Sequence, residues 1–242
     1  MYRLLTLDLG ISARTQAPVI NEVMARLPNT IILAVVSLVM SIVIGIPLGI
    51  LAALRRNTAI DMAVTGASLI GVSMPVYWTG LLLISLFAVK LRWLPAGGYG
   101  SWKHIIMPSI TLSLYLIAFV MRMTKSSVLD VLNQDYVKMA ISKGLKRREI
   151  LWRHVLRNAL IPVVTITGLQ FGNLLGGAVL TETIFAWPGM GRLIVDSIFS
   201  RDYPVVQGAI FIFALLFAFV NLAVDIIYTI IDPRIRLGGR RS

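Results

Sequence analysis

Few residues in this chain could carry covalent chemistry. There is no cysteine, and His104 and His154 are the only histidines. Thiolate nucleophiles, disulfides and Cys-based metal sites are thereby removed together, and two separated histidines do not suggest a metal centre. Gly71-Val72-Ser73 has the Gly-x-Ser form of an activated serine. No histidine lies within an apolar segment to act as its base, so an intramembrane serine protease is discarded. No glycine-rich phosphate loop with its lysine is present, so the chain cannot bind ATP in that way itself. What remains is polar chemistry without bond-making. Gln170 and Asn173 lie inside an apolar run, where polar groups ordinarily face a protein or water-filled interior. They are candidates for lining a solute route. Asp225, with Asn221 one turn before it, sits near the end of the last apolar run and is read as a structural ion-pair partner of Arg55, Arg56 or Arg122.

The largest concentration of charge is the stretch DYVKMAISKGLKRREILWRHVLRNALIP, residues 135–162. It sets Lys138, Lys143, Lys146, Arg147, Arg148, Arg153 and Arg157 against Asp135 and Glu149. Tyr136, Val137, Ala140, Ile141, Gly144 and Leu145 recur at the spacing of one helical face. Gly144 should end that helix, because a residue without Cβ enters the left-handed region at least cost. A second helical pattern starts near Arg148 and runs toward Pro162. Two functions fit such a basic helix–glycine–helix: docking of another protein, or contact with anionic lipid head groups, each Lys or Arg then contributing ~1 kcal/mol.

The elements that must position these residues are membrane helices. The chain is 57% hydrophobic and 14% charged, against about 45–50% and about 25% in soluble domains. The net charge of +12 does not indicate nucleic-acid binding, since the basic residues cluster between apolar runs instead of covering a soluble face. Five runs at 30–54, 62–89, 105–123, 160–181 and 205–231 reach the ~20 residues a spanning helix needs. IGIPLG at 44–49 and GVSMPVYWTG at 71–80 should kink or hinge two of them. Gly168, Gly172 and Gly176 fall at i, i+4, i+8 in the fourth, the small-residue face that lets helices approach closely.

Residues 55–58, 122–158 and 232–242 together carry 15 of the basic residues, and the alternate loops carry 8. The first set is therefore expected in the cytoplasm, with the N-terminus of the chain outside and the C-terminus inside. An exported N-terminal segment bearing Arg3, Arg14 and Arg26 with no apolar run before it is awkward to insert, and a missing upstream helix is the simplest expectation. A five-helix protein is the alternative. Trp93, Trp102 and Trp187 mark two exterior loops as interfacial, and GRLIVDSIF within the second is too short to span.

YVKMAISKGLKRREILWRHVLRNALIPVVT resembles the cytoplasmic coupling loop, the EAA-type motif, of ABC importer permeases, above all the dipeptide, oligopeptide and nickel uptake family. Ala140, Gly144, His154, Leu156, Arg157, Asn158, Ala159 and Pro162 fall on its pattern. LDLGIS with RLPNTIILA, IFAWPGMGRL with SIFSRDYPVVQ, and DPRIR fit the same family, so the resemblance runs from Leu7 to Arg236. The acidic residue that names the motif is replaced by Lys138, and Ile141 and Ser142 depart from the pattern as well. Members of the family usually have six membrane helices, one of them ahead of the DLGIS stretch.

The resemblance implies an all-α polytopic protein with the type I importer permease fold. Residues 1–23 form an exterior segment, 24–231 the permease domain with a coupling segment at 125–160, and 232–242 a cytoplasmic tail. It implies that Tyr136, Ala140, Lys143, Gly144, Leu145, His154, Arg157 and Asn158 dock on an ATP-hydrolysing subunit. The chain itself would bind no cofactor or metal, ATP and magnesium being handled by partner subunits. Its partners would be a second homologous permease, two ATPase subunits and an extracytoplasmic solute-binding protein, in a bacterial or archaeal cell membrane, with no nucleic acid. Small peptides, glutathione and nickel are the solutes this family carries. An ATP-independent secondary transporter or channel is the alternative, disfavoured because such proteins concentrate ionisable residues at mid-membrane.

Overall fold

A computed structural model describes residues 9–231; the side chains of Asp225 and of residues 227–231 lie outside that description, and with them the expected ion pair of Asp225. The tail at 232–242, with its DPRIR, also lies outside it, as do residues 1–8. The described chain is all-α, its only β contact an isolated bridge between Ile11 and Pro18. Its helices are α1 (Val19–Leu54), α2 (Ala59–Ser73), α3 (Val76–Leu83, continued by a π-helical stretch Ile84–Lys90), α4 (Lys103–Leu132), α5 (Asp135–Ser142), α6 (Arg157–Ile184), α7 (Met190–Phe199) and α8 (Tyr203–Ile231).

Four described helices are long and apolar enough to cross a membrane, and a fifth span results if α2 and the helix beginning at Val76 count as one broken crossing. The break falls where GVSMP anticipated it. Pro75 adopts φ −59° and ψ 137°, an extended conformation, and its carbonyl accepts the Trp78 and Thr79 amides at 3.0 and 3.1 Å to start the next helix. At the other expected position the helix is not broken. The helix runs from Val19 through Gly45, Pro47 and Gly49 to Leu54 without interruption. Pro28, Pro108 and Pro162 likewise sit inside continuous helices. In hydrocarbon a broken helix leaves backbone groups with no water to satisfy them, so losing one hydrogen bond at a proline is the smaller cost. Gly45 and Gly49 serve instead as contact points: a Cβ there would stand 2.9 Å from Val120 Cβ and 2.5 Å from the Met121 carbonyl oxygen.

The helices are longer than their apolar runs. α1 starts eleven residues before the run at 30–54, because Val19 and Val23 are fully buried in a cluster with Leu9, Met190, Val205 and Ala209. Burial on one face sustains the helix through the polar residues Asn21, Glu22 and Arg26. The same region holds the loop before α1. Asp202 accepts from the Ser12 hydroxyl at 2.5 Å and from the amides of Ala13 and Arg14 at 3.1 and 3.2 Å. Burial alone would raise the Asp202 pKa, but these donors outweigh it and hold the carboxyl below its usual value.

The chain forms two compact units. Among the described residues one comprises 9–37, 74–112 and 171–221, and the other 38–73, 113–170 and 222–231. The expected kinds of segment sort between them. The loops around Trp93 and Trp187 belong to the first, and the basic segments 55–58 and 122–158 to the second.

Candidate functional site

The basic stretch folds as helix, glycine, helix. α5 ends at Ser142, and Gly144 follows with φ +78°. The Gly144 amide donates to the Ile141 carbonyl at 2.9 Å and the Leu145 amide reaches the Ala140 carbonyl at 3.4 Å. This nested pair of bonds is a Schellman C-cap, which requires a residue tolerant of the left-handed region at that position. Lys146 then opens a turn at Arg147–Glu149, continued by a π-helical stretch Ile150–Leu156 and by α6. π-Helical turns occur mostly as single insertions, frequently at functional positions.

The segment is seated on its own unit by one face. Val137, Ala140, Ile150, Val155, Leu156 and Ala159 are buried together with Ala53 and Val128, and Leu145 packs against them. Ala140, expected among the docking residues, therefore faces the interior of this chain, where its small side chain lets α5 lie close. Three other expected residues meet. The Asn158 amide donates to the Tyr136 hydroxyl and to the His154 carbonyl, both at 3.0 Å, tying α5 to the start of α6. Lys143, Gly144, Arg157 and Asn158 are exposed, His154 and Leu145 half-buried.

The opposite face combines exposed cations with exposed apolar groups. Met139, Ile141 and Trp152 are 56, 58 and 64% exposed. Lys138, Lys143, Lys146, Arg147, Arg148, Arg153 and Arg157 are exposed around them. A solvated basic loop has no use for three uncovered large apolar side chains, whereas a protein contact does. Met139 and Trp152 were not singled out in the sequence. Their signal was there, as large apolar residues at positions where the helical pattern is otherwise charged.

The glycines of α6 are used unequally. A Cβ at Gly168 would touch Val224 at 3.4 Å, and one at Gly172 would collide with Asn221 Oδ1 at 2.8 Å and Phe217 at 2.9 Å, whereas one at Gly176 meets nothing within 4 Å. The expected three-glycine face is a two-glycine contact with α8. Gln170 is half-buried and Asn173 exposed on the same helix.

A second polar centre was missed in the sequence. Glu182, fully buried at the end of α6, accepts from the Thr30 hydroxyl at 2.6 Å and from the Arg192 amide at 3.1 Å. Thr30 in turn accepts the Met190 amide at 2.8 Å. The N-cap residue of α7, Gly189, makes no side-chain cap of its own. Glu182 and Thr30 supply it from a distance and place a carboxylate at the positive helix end. Around them the Trp187 indole donates to the Asn29 carbonyl at 3.0 Å, and the Asn29 amide to the Pro188 carbonyl at 2.8 Å. A third centre is the ion pair of Lys125 with Asp61, in which Lys125 also donates to Thr65 at 3.2 Å.

Among the described residues no group of three or more His, Asp or Glu could hold a metal ion.

The chain has clear relatives among known proteins. The family described as binding-protein-dependent transport system inner membrane component matches residues 45–237. The glutathione transport system permease protein GsiC of Escherichia coli O6:H1 is 45% identical over 229 residues, covering 95% of this chain and 75% of the relative. The GsiC of Escherichia coli K12 is 44% identical over the same lengths. Among solved structures, the inward-facing methionine ABC transporter MetNI superposes with a TM-score of 0.76 at 18% identity, over 89% of this chain and 98% of that one. At that identity the likeness speaks for the fold.

Proposed function

The chain belongs to the binding-protein-dependent transport system inner membrane components and is a permease subunit of an ABC importer, and we propose that it passes small peptides of the glutathione class. As a member of that family it is a multi-pass protein of the inner membrane that works with ATPase and binding-protein partners. The substrate reading rests on the 45% identical relative, which is named for glutathione transport. Nickel has no comparable support. The proposed assembly holds a second homologous permease and two ATPase subunits. ATP is bound with magnesium and hydrolysed by the ATPases, and this chain catalyses no reaction.

In this reading α5 and the turn after Gly144 are the surface that docks on an ATPase subunit. The observation that carries it is the exposed mixture of Met139, Ile141 and Trp152 with seven cations on a segment whose other face is anchored in the chain. Tyr136, Lys143, Gly144, Leu145, His154, Arg157 and Asn158 form or brace that surface. A rigid segment is what coupling needs, because driving a two-state equilibrium from 1:99 to 99:1 takes ~5.5 kcal/mol, which a flexing lever would dissipate. The Tyr136–Asn158 bond and the capped Gly144 turn supply that rigidity. Gln170 and Asn173, with the glycines of α6, are proposed to lie along the solute route.

Uptake tests the substrate. Membranes carrying the complete transporter and its binding protein should accumulate labelled glutathione, and unlabelled glutathione should compete with it better than nickel does. Accumulation of nickel with no response to glutathione would sink the peptide reading and leave the importer assignment intact.

Orientation is proposed from the charge count, with 55–58, 122–158 and 232–242 in the cytoplasm. Support comes from the sorting of the first two into one compact unit. Because the chain has no native cysteine, single cysteines at Ser101 and Ser200 should react with an impermeant thiol reagent added outside intact cells. One at Ser142 should not, and its labelling from outside would reverse the orientation.

A further inference from the structure

α1 and α2 meet α4 in different ways. Gly45 and Gly49 bring α1 against Val120, Met121 and Thr124 at distances a side chain would forbid. α2 stands off. A Cβ at Gly71 would be 3.7 Å from the Leu114 carbonyl oxygen, and one at Gly66 would meet nothing within 4 Å. The stand-off leaves a groove of about 370 Å³, lined by Leu48, Val64, Ala67, Leu114, Ile117 and Met121 among others. Ser68 on its wall turns its hydroxyl to the Thr65 carbonyl at 2.7 Å. The lining is thus almost wholly apolar.

One end of the groove is charged. Asp61 lies two residues before the lining residue Ala63, and Lys125 four residues after Met121; the two are paired. Arg122 lies one turn before Lys125 on the same helix face. Arg55 and Arg56 sit in the connection into α2, whose Asn57 amide donates to Asp61 at 3.1 Å. All three arginines are exposed. Asp61 offsets Lys125, so the three exposed arginines give the chain segments at this end of the slot a net positive charge.

We propose that this groove binds an anionic phospholipid, with one acyl chain along the α2–α4 wall and the phosphate held by Arg55, Arg56 and Arg122. The pairing of an apolar slot with a cationic end matches that amphiphile. A peptide solute would leave its backbone polar groups unpaired along the wall. A metal cation would be repelled by the arginines and find Asp61 already taken by Lys125.

Native mass spectrometry of the purified, fully assembled transporter, exchanged into phosphatidylglycerol or phosphatidylcholine of identical chains, tests this directly. The wild type should retain phosphatidylglycerol about tenfold or more over phosphatidylcholine. Arg56→Gln with Arg122→Gln should bring that ratio close to one while leaving some lipid bound. Ala67→Trp, which fills the slot, should abolish retention of both lipids. Equal retention of the two lipids by the wild type, or unaltered retention by a folded Ala67→Trp chain, would overturn the proposal. Met62→Cys carrying a small fluorophore, beside the lining residue Ala63 but outside the slot, gives an independent reading if the tryptophan variant does not fold. Phosphatidylglycerol with brominated chains should quench it, and brominated phosphatidylcholine should quench it less. Cross-linking of that cysteine to a partner subunit or to residues 232–242, in place of quenching, would show that protein occupies the groove and refute the lipid.

Discussion

Gly144→Asp is expected to leave the permease inserted and folded but stripped of its ATPase subunits, with uptake lost. The expectation combines what the glycine does inside the chain with what its surface meets outside it. Inside, φ at Gly144 is +78° and a Cβ would meet nothing within 4 Å. The intramolecular cost of a side chain is therefore only that of the left-handed backbone, ~1–2 kcal/mol, and Asp and Asn are the residues that tolerate that region best. The Schellman cap can survive. Outside, the same position lies at the apex of the proposed docking surface. Extra volume in a packed contact costs ~1–3 kcal/mol, and an unpaired carboxylate taken out of water adds several more. At ~1.4 kcal/mol per tenfold, docking should weaken on the order of 100-fold or more.

Two companion variants separate the causes. Gly144→Asn carries the same backbone preference without the charge, so it should retain more ATPase than the aspartate. Lys146→Ala removes one exposed cation and should do much less than either if a protein contact is the purpose. Co-purification of ATPase subunits alongside uptake reads all three. Retention of ATPases and of uptake by Gly144→Asp, with both lost in Lys146→Ala, would mean that head-group contact is what the segment is for.

The Gly144 cap could be read from sequence because its cause is local: a helical face followed by a glycine permits few other outcomes. The apolar runs were legible for a similar reason, since a bilayer imposes a length on any helix that crosses it. Prolines were read less well. Pro47 and Pro75 carry the same local signal, yet only Pro75 breaks its helix. The difference depends on how neighbours satisfy the freed carbonyls, which no local pattern encodes. Ala140 shows the same limit on the proposed docking face. The period that places it beside Tyr136 and Gly144 is right, but which side of that stripe turns inward is decided by Ala53, Val128 and Val155, residues remote in sequence. Glu182 was invisible because its partners, Thr30 and the amide of Arg192, come together only in the fold.

Glu182→Ala should be the most destabilising single substitution outside the apolar core. The change would leave the buried Thr30 hydroxyl without its carboxylate acceptor and the part-buried Arg192 amide without its Glu182 partner. Each orphaned group costs ~1–3 kcal/mol, for a total of ~2–6 kcal/mol, a large share of the ~5–15 kcal/mol that holds an ordinary fold. For a chain of this length that corresponds to a fall in apparent melting temperature on the order of 10 °C. Glu182→Gln keeps an acceptor for Thr30 and should lose less. Gly189→Ala approaches the same defect from the other side, because its Cβ would stand 2.1 Å from Glu182 Oε1 and 2.2 Å from the carboxyl carbon. The carboxylate would have to leave its place, so the alanine should resemble Glu182→Ala even though it removes no polar group. Loss of monodisperse protein on heating in detergent measures all three. If Glu182→Ala and Gly189→Ala both melted like the wild type, the carboxylate would not be what holds the start of α7. If the glutamine variant melted like the alanine, the negative charge at the helix end would outweigh the hydrogen bonds in fixing it.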